Sequence, residues 1–336
     1  PLLVALDPVR MVVLTAAEVP EQTSFGERCE VVLAAPHPRG GTRLVQVSEC
    51  EDEIFLFHLR DGALAVEDRF DLTPLMPQNR SRSARFYGLH GPTERIVQVT
   101  TPRTAHGSSV LRNLSLEDGR VVHEEKYGFA LWHLLRYPGD DLFVVSRFPD
   151  YALRLRPGYF NIATMDHRGR IVTRFNLAPE EMPEPLESIH SLARLRDLGW
   201  IYLTYDYYDP LGNVVRRSPA FLVLRPDGSV FYQSAQPERL LRDKRQPIGL
   251  VRTVAPADAE PLVLMPHTTQ DGGQGVTALG ATDLKRRFEA EFEPGETLHS
   301  LHEVDSGRIV VAVTFPSQDG AFRVRRLDPA AGAFLL

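Results

Sequence analysis

The sequence has little cysteine, no excess of basic charge and no long apolar run. Its 336 residues include 2 cysteines, Cys29 and Cys50, which form no Cys-x-x-Cys pair, so a structural zinc site built from thiolates is excluded. The net charge of -6 argues against nucleic acid as a partner, because nucleic-acid binding depends on a basic surface. No apolar stretch approaches the ~20 residues that span a bilayer, so no membrane span is predicted.

The pairing of the cysteines and the location of the protein stay open at this level. Cys29 and Cys50 flank the first predicted hairpin, where they would either pair in an oxidising compartment or remain two separate thiols. The chain starts at Pro1 and not at methionine, which fits a processed product. The location is therefore open between the cytoplasm and secretion after removal of a signal peptide.

Helical periodicity is also nearly absent, whereas strand signals recur along the whole chain. They are short runs rich in valine, isoleucine, leucine and aromatic residues, bounded by glycine, proline and aspartate. Pairs of strands are joined by Asp-Gly or a similar dipeptide, which suits a tight turn because glycine adopts positive φ freely. The clearest turns are Asp61-Gly62, Asp118-Gly119, Arg168-Gly169 and Asp227-Gly228. The pattern predicts an all-β chain of hairpins.

Two more strands precede each hairpin, and this four-stranded unit recurs with a period of about 50 residues. The units cover residues 29–71, 85–129, 131–176, 188–235, 248–293 and 297–336. The repeat resembles the β-propeller superfamily of the six-bladed type, and its Asp-Gly hairpins resemble those of arylsulfotransferase-like propellers. We expect an all-β propeller of six four-stranded blades, with seven as the alternative. Residues 28–336 are expected to form this single domain, and residues 1–27 to supply strands that close the ring.

Long loops are expected on one face of such a propeller, because the connections between units, and between the second and third strands, are longer than the other turns. Binding residues concentrate in long loops on a rigid scaffold. The predicted partner at this face is a small-molecule ligand or a partner protein. The candidate ligand-binding residues are Tyr87, Arg85, Tyr205, Tyr207 and Arg154.

Histidine falls at matching positions in the first strands of three units. His133, His190 and His299 each lie near the start of the strand that a propeller places beside its central channel. Three imidazoles around an axis can hold Zn or Fe and leave one coordination position open. His267, at the end of a second strand on the same face, is a candidate fourth ligand.

Two glutamates complete this predicted metal site. Glu187 stands three residues before His190, and Glu296 stands three residues before His299. A carboxylate commonly accepts the second N–H of an imidazole that binds a metal. We therefore predict that Glu187 and Glu296 orient the two histidines.

The predicted axial histidines resemble those of two groups of propeller enzymes, the peptidyl-hydroxyglycine lyases and the carotenoid cleavage oxygenases. The resemblance implies zinc in the first case and iron in the second, and with them a metal-dependent lyase, hydrolase or oxygenase. The alternative is that each histidine bonds to a neighbouring blade and serves packing only. The chain would then be a non-catalytic protein-interaction propeller. No catalytic residue is nominated under either hypothesis.

Overall fold

The computed structural model describes strands and turns along most of the chain. The described residues are 2–7, 12–18, 29–48, 52–77, 82–89, 95–102, 108–128, 131–136, 142–146, 162–166, 168, 170–175, 188–195, 198–206, 220–234, 237–242, 245–304, 308–316 and 322–335. The chain divides into two compact units. Unit 1 is Pro1–Asp7 with Val12–Phe175, and unit 2 is Pro8–Met11 with Asn176–Leu336.

Unit 1 is built from antiparallel hairpins. Its strands are β1 (Leu2–Asp7), β2 (Val12–Glu18), β3 (Cys29–Pro36), β4 (Thr42–Ser48), β5 (Glu53–Arg60), β6 (Ala63–Asp71), β7 (Arg82–Leu89), β8 (Arg95–Pro102), β9 (Ser109–Ser115), β10 (Val121–Tyr127), β11 (Leu131–Arg136), β12 (Leu142–Ser146), β13 (Ile162–Met165) and β14 (Ile171–Phe175). β1 and β2 pair only with each other among the described strands, while β3–β6, β7–β10 and β11–β14 form three four-stranded sheets. The part of the N-terminal strands in closing a ring stays a prediction.

Unit 2 continues the same pattern. Its strands are β15 (Ser188–Leu195), β16 (Trp200–Asp206), β17 (Ala220–Leu224), β18 (Val230–Ser234), β19 (Gln246–Pro247), β20 (Arg252–Val254), β21 (Leu262–Thr268), β22 (Gln274–Gly280), β23 (Arg286–Glu291), β24 (Glu296–Val304), β25 (Ile309–Pro316), β26 (Arg323–Asp328) and β27 (Ala333–Leu335). A short 3-10 helix, Pro237–Leu240, precedes β19. β15–β18 and β24–β27 are four-stranded sheets, and β19 and β20 both pair with β21 in the five-stranded sheet between them.

The predicted all-β propeller class is confirmed, because successive antiparallel meanders with almost no helix define it. The predicted count of six four-stranded blades, and the alternative of seven, are wrong for the described residues, where five sheets have four strands. In the five-stranded sheet the first position is divided between β19 and β20. Pro247 ends β19, and Gly249 turns the chain with a φ of 87° before β20 begins.

Most of the described hydrophobic cores lie between successive sheets, whereas one lies on the β3–β6 sheet alone. Strand β21 illustrates the arrangement, because its side chains alternate between two cores. Val263 packs in a cluster with Phe221 of the preceding sheet, whereas Leu264 packs in a cluster with Leu301 of the following sheet. The middle strands are therefore apolar on both faces, and all five residues of β17 are buried. The fourth strands are more exposed and more polar, as in β6 and β10.

One of the predicted Asp-Gly turns has the expected geometry and another differs. Asp61 and Gly62 both have positive φ, at 49° and 78°, as a type I′ turn requires. At the second turn Gly119 has a φ of 69°, and the carboxylate of Asp118 instead accepts the backbone N–H of Arg120 at 3.1 Å. The dipeptide therefore marks the position of a turn without fixing its type. In the part of the chain that the structure describes, no helix is long and apolar enough to cross a membrane.

Candidate functional site

A β-bulge recurs in the first strands of unit 2 and places two histidines at one structural position. In β15 the register with β16 shifts between Ile189 and Ser191, so His190 is the extra residue. In β24 the register with β25 shifts between Leu298 and Ser300, so His299 is the extra residue. Both histidine side chains are exposed. Because a bulge changes the direction of the side chain it carries, this geometry presents both imidazoles at the surface.

His133 does not share this position. In β11 the register with β12 shifts between Leu131 and His133, which makes Trp132 the extra residue. His133 therefore corresponds to Ser191 and Ser300, one residue beyond the bulge. The predicted equivalence of three histidines holds for two of them. An alignment of side-chain types cannot show where a bulge adds a residue.

The histidine of the bulge in β24 lies beside a second accessible imidazole. His302 is exposed, and Ser300 Oγ lies 2.7 Å from its Nε2 atom. The pKa of His302 is lowered by partial burial of its ring and by the positive charges of Arg252 and His299. These three basic groups are therefore close enough to interact. We call Arg252, His299, Ser300 and His302 the imidazole surface.

Arg252 connects the first strands of three successive sheets in unit 2. Its Nε donates to the carbonyl of Leu301 in β24 at 2.9 Å, and its Nη1 donates to Ser191 Oγ in β15 at 2.8 Å. The same Nη1 donates to the carbonyl of Val251 at 2.7 Å. Burial lowers the pKa of Arg252, and the charge of Glu303 opposes this effect. The three bonded acceptors are uncharged and hold the guanidinium in place, and Glu303 is an acidic group whose charge acts on it.

Glu303 supplies the nearest acidic group on β24. Its Oε1 accepts the backbone N–H of Thr253 at 2.7 Å and the hydroxyl of Thr253 at 3.1 Å. Burial raises the pKa of Glu303, although Thr253 and the charge of Arg252 oppose the rise. Successive side chains of a strand point to opposite sides, so Glu303 faces β20 while His302 faces away from it. The acidic group is thus directed away from the accessible imidazole.

The geometry speaks against the predicted role of His267 as a metal ligand. Its side chain is fully buried, and Arg245 Nη1 donates to its Nε2 at 2.9 Å. The Nδ1 proton is then directed to Thr277 Oγ1 at 3.2 Å. Arg245 is held in turn by Glu289 at 3.1 Å and by Glu291 at 2.7 Å. Both nitrogens of His267 are occupied within a structural network.

Glu296 has a different partner from the one predicted. Its buried carboxylate accepts from Arg323 at 3.1 Å and from Arg325 at 3.0 Å, and it also accepts the backbone N–H of Glu293 at 3.1 Å. The carboxylate that was expected to orient His299 therefore forms ion pairs with two guanidinium groups instead. Glu296 joins β24 to β26 and acts in packing.

The predicted ligand-binding residues separate into three groups. Tyr205 is fully buried and its hydroxyl accepts from Gln233 Nε2 at 3.0 Å, so it belongs to the core and is out of reach of a ligand. Arg85 is exposed. The other three predicted ligand-binding side chains, Tyr87, Tyr207 and Arg154, lie outside the described residues. The same holds for the side chains of the predicted metal ligand His133, of the predicted orienting residue Glu187, and of Cys50.

Within the described residues, no three His, Cys, Asp or Glu side chains come together as metal ligands. His190, His299 and His267 therefore do not form the predicted centre by themselves. A site that includes His133 stays a prediction, because the side chain of His133 lies outside the described residues.

Sequence reasoning missed Arg252, His302 and Glu303. His302 carried one signal, because it follows His299 by three residues on the same strand. Arg252 carried no signal, since its partners Ser191 and Leu301 are 61 and 49 residues away in the chain. Such contacts depend on which first strands lie side by side.

Comparisons with known proteins concern the fold alone. No protein-family model matches the chain, and no curated protein matches it. A solved structure from a study of two prolyl endopeptidases is 14% identical, with a TM-score of 0.50, over 92% of this chain and 42% of that chain. Apo AztD from Citrobacter koseri is 10% identical, with a TM-score of 0.45, over 99% of this chain and 78% of that chain.

A europium-containing methanol dehydrogenase is 11% identical, with a TM-score of 0.43, over 92% of this chain and 73% of that chain. These neighbours are propeller proteins of varied function. The chain has the β-propeller fold, a fold that hosts many unrelated activities, so function has to be argued from the side chains of the site.

Proposed function

We propose that this protein is a ligand-binding propeller whose imidazole surface takes a small anionic ligand. The observation that carries the proposal is the cluster of basic groups on β20 and β24. Arg252 and His299 are close enough to His302 to lower its pKa. Like-charged groups held together by a rigid scaffold become more stable when an anion binds between them.

The chemistry of the surface matches an oxyanion. Ser300 offers a hydroxyl, His299 and His302 offer ring N–H groups, and Arg252 is a permanent cation. Charge-assisted hydrogen bonds to anionic oxygens are stronger than neutral ones. The net charge of the chain is -6, so a local group of basic side chains selects a small anion at one place rather than an anionic polymer over a broad surface.

Titration with sulfate tests the proposal. Isothermal titration calorimetry at pH 6.0 is expected to show saturable binding to the wild-type protein. His302→Gln should weaken it by about threefold, because a side chain that becomes protonated when an anion binds is replaced by a neutral amide. His123→Gln is the matched control, since His123 is a partly exposed histidine on β10 in unit 1. No saturable sulfate binding, or equal loss in both variants, would contradict the proposal.

The divalent metal remains a separate prediction. It is supported by the shared bulge position of His190 and His299, and it requires His133 as a further ligand. Metal analysis after incubation with Zn²⁺ and dialysis, on the wild type and on His190→Ala, tests it. Absence of stoichiometric metal from the wild type would remove the prediction and leave the anion site unaffected.

A further inference from the structure

A pair of exposed phenylalanines lies next to the imidazole surface. Phe315 lies one residue before the end of β25, paired with Thr297 near the bulge of β24, and its side chain is 38% exposed. Its ring packs edge-on against His299, with ring centroids 5.1 Å apart and planes inclined by 74°. His299 is also the imidazole that acts on the pKa of His302. The apolar ring of Phe315 therefore contacts one member of the imidazole surface.

The second phenylalanine extends the same apolar region. Phe322 is 54% exposed and immediately precedes β26. Thr314 of β25 pairs with Arg323 of β26, so Phe315 and Phe322 occupy the next position on the two neighbouring strands. Among the strongly exposed apolar side chains of the described residues, these are the two aromatic ones. Their joint placement at one strand end differs from the scattered single residues of an ordinary surface.

We infer that the anionic ligand carries an aromatic ring, as a small aromatic carboxylate does, and that Phe315 and Phe322 set this preference. The inference rests on the proposed anion site. The carboxylate would lie among Arg252, His299 and His302, and the ring would lie against the phenylalanines. Aromatic rings favour edge-on or offset contacts with centroids about 4.5–7 Å apart, which is the geometry that Phe315 already makes with His299.

The size of the expected effect follows from such contacts. An aromatic pair contributes a modest free energy of binding beyond that expected from the area it buries. This contribution corresponds to about a three- to tenfold gain in affinity. Acetate and benzoate carry the same charged group and differ in the ring. The ratio of their affinities therefore isolates the contribution of the apolar region from that of the basic groups.

The test measures binding of benzoate, acetate and sulfate by calorimetry at pH 6.0. Wild-type protein is expected to prefer benzoate over acetate by about tenfold or more. Phe322→Leu should reduce this ratio about three- to tenfold and leave the sulfate affinity unchanged, and the double variant with Phe315→Leu should reduce it further. Phe231→Leu is the control, because Phe231 packs against Trp200 on a different sheet of unit 2.

The outcomes separate the two hypotheses. A wild-type benzoate-to-acetate ratio near one, or a ratio that the double variant leaves unchanged while sulfate still binds, overturns the aromatic preference alone. Failure of all three anions to bind overturns the anion site itself, and the aromatic preference falls with it.

Discussion

The protein holds its described histidines in two contrasting ways, and the clearest closed example is in unit 1. His37 has a side chain that is 1% exposed, and its Nδ1 accepts the backbone N–H of Arg39 at 3.0 Å. Its Nε2 must then carry the proton, which it donates to the two oxygens of Glu67 at 3.1 Å. The ring stacks on His58 with centroids 3.9 Å apart. Every polar atom of this imidazole is in use.

The imidazole surface of unit 2 is the open counterpart. His302 is exposed, and its Nε2 contacts Ser300 Oγ at 2.7 Å. His299 makes a ring contact with Phe315 and is also exposed. The closed imidazoles bond within the fold, whereas the open ones have polar atoms to offer a ligand. The difference predicts that closed histidines control stability and open ones control binding.

Replacing the closed imidazole should have the largest effect. His37→Ala removes the acceptor of Arg39 and one donor to Glu67, and it leaves a gap beside His58, so it should lower the free energy of unfolding by about 2–3 kcal/mol. His302→Ala removes an exposed side chain and should change it by less than about 0.5 kcal/mol. Urea unfolding monitored by circular dichroism gives both values. Equal losses in the two variants would remove the distinction between closed and open sites.

The pKa of Glu67 provides a second test of the closed site at His37. Burial raises the pKa of Glu67, but the hydrogen bonds from His37 and Arg39 and the charge of Arg39 outweigh burial and lower it overall. His37→Ala removes part of that effect. The carboxylate titration of Glu67 in the variant, followed by NMR, is therefore expected to move upward.

His267 allows the closed class to be tested by pH. Burial and the charge of Arg245 lower its pKa below the ordinary value of 6.5. The unfolded chain therefore binds this proton at a higher pH than the folded chain does, so stability is lost as pH falls through about 6.5. Between pH 7.5 and 5.5 the loss attributable to His267 should be about 1 kcal/mol.

Comparison with a non-titrating side chain isolates this contribution. His267→Gln should be less stable at pH 7.5, because it disturbs the bond from Arg245. Its stability should nevertheless fall less than that of the wild type between pH 7.5 and 5.5. His123→Gln serves as the control and should keep the wild-type slope. An unchanged slope in His267→Gln would assign the acid sensitivity to other groups.

The sequence was sufficient to predict the features of the fold that depend on neighbouring residues along the chain. The alternation of apolar residues predicted the all-β class, and the Asp-Gly dipeptides predicted where turns occur, because both are local properties. The six-blade count failed at Gly249, where the chain turns and divides one strand into two. Short-range patterns do not show whether a strand is continuous.

The site was less accessible to prediction, because its position depends on register and on distant contacts. Tyr205 and His267 looked like binding residues by type, but both are fully buried. His133 was aligned with His299 by its sequence context, whereas the bulge in β11 falls on Trp132. Burial and bulge position are consequences of packing between sheets, which a single sequence pattern does not carry.

The pH dependence of anion binding offers the smallest and most specific test of the open class. The positive charges of Arg252 and His299 act on His302, and Glu303 on the same strand is bonded to Thr253. An anion stabilises the protonated form of His302, so by reciprocity protonation of His302 strengthens anion binding. The lowered pKa of His302 places most of this gain below pH 6.5. Sulfate affinity should therefore rise about fivefold between pH 7.5 and 5.5, a range in which sulfate keeps its charge, and His302→Gln should flatten that rise. An affinity that rises equally in wild type and variant would show that protonation elsewhere drives binding, and His302 would then have no more part in recognition than a closed imidazole.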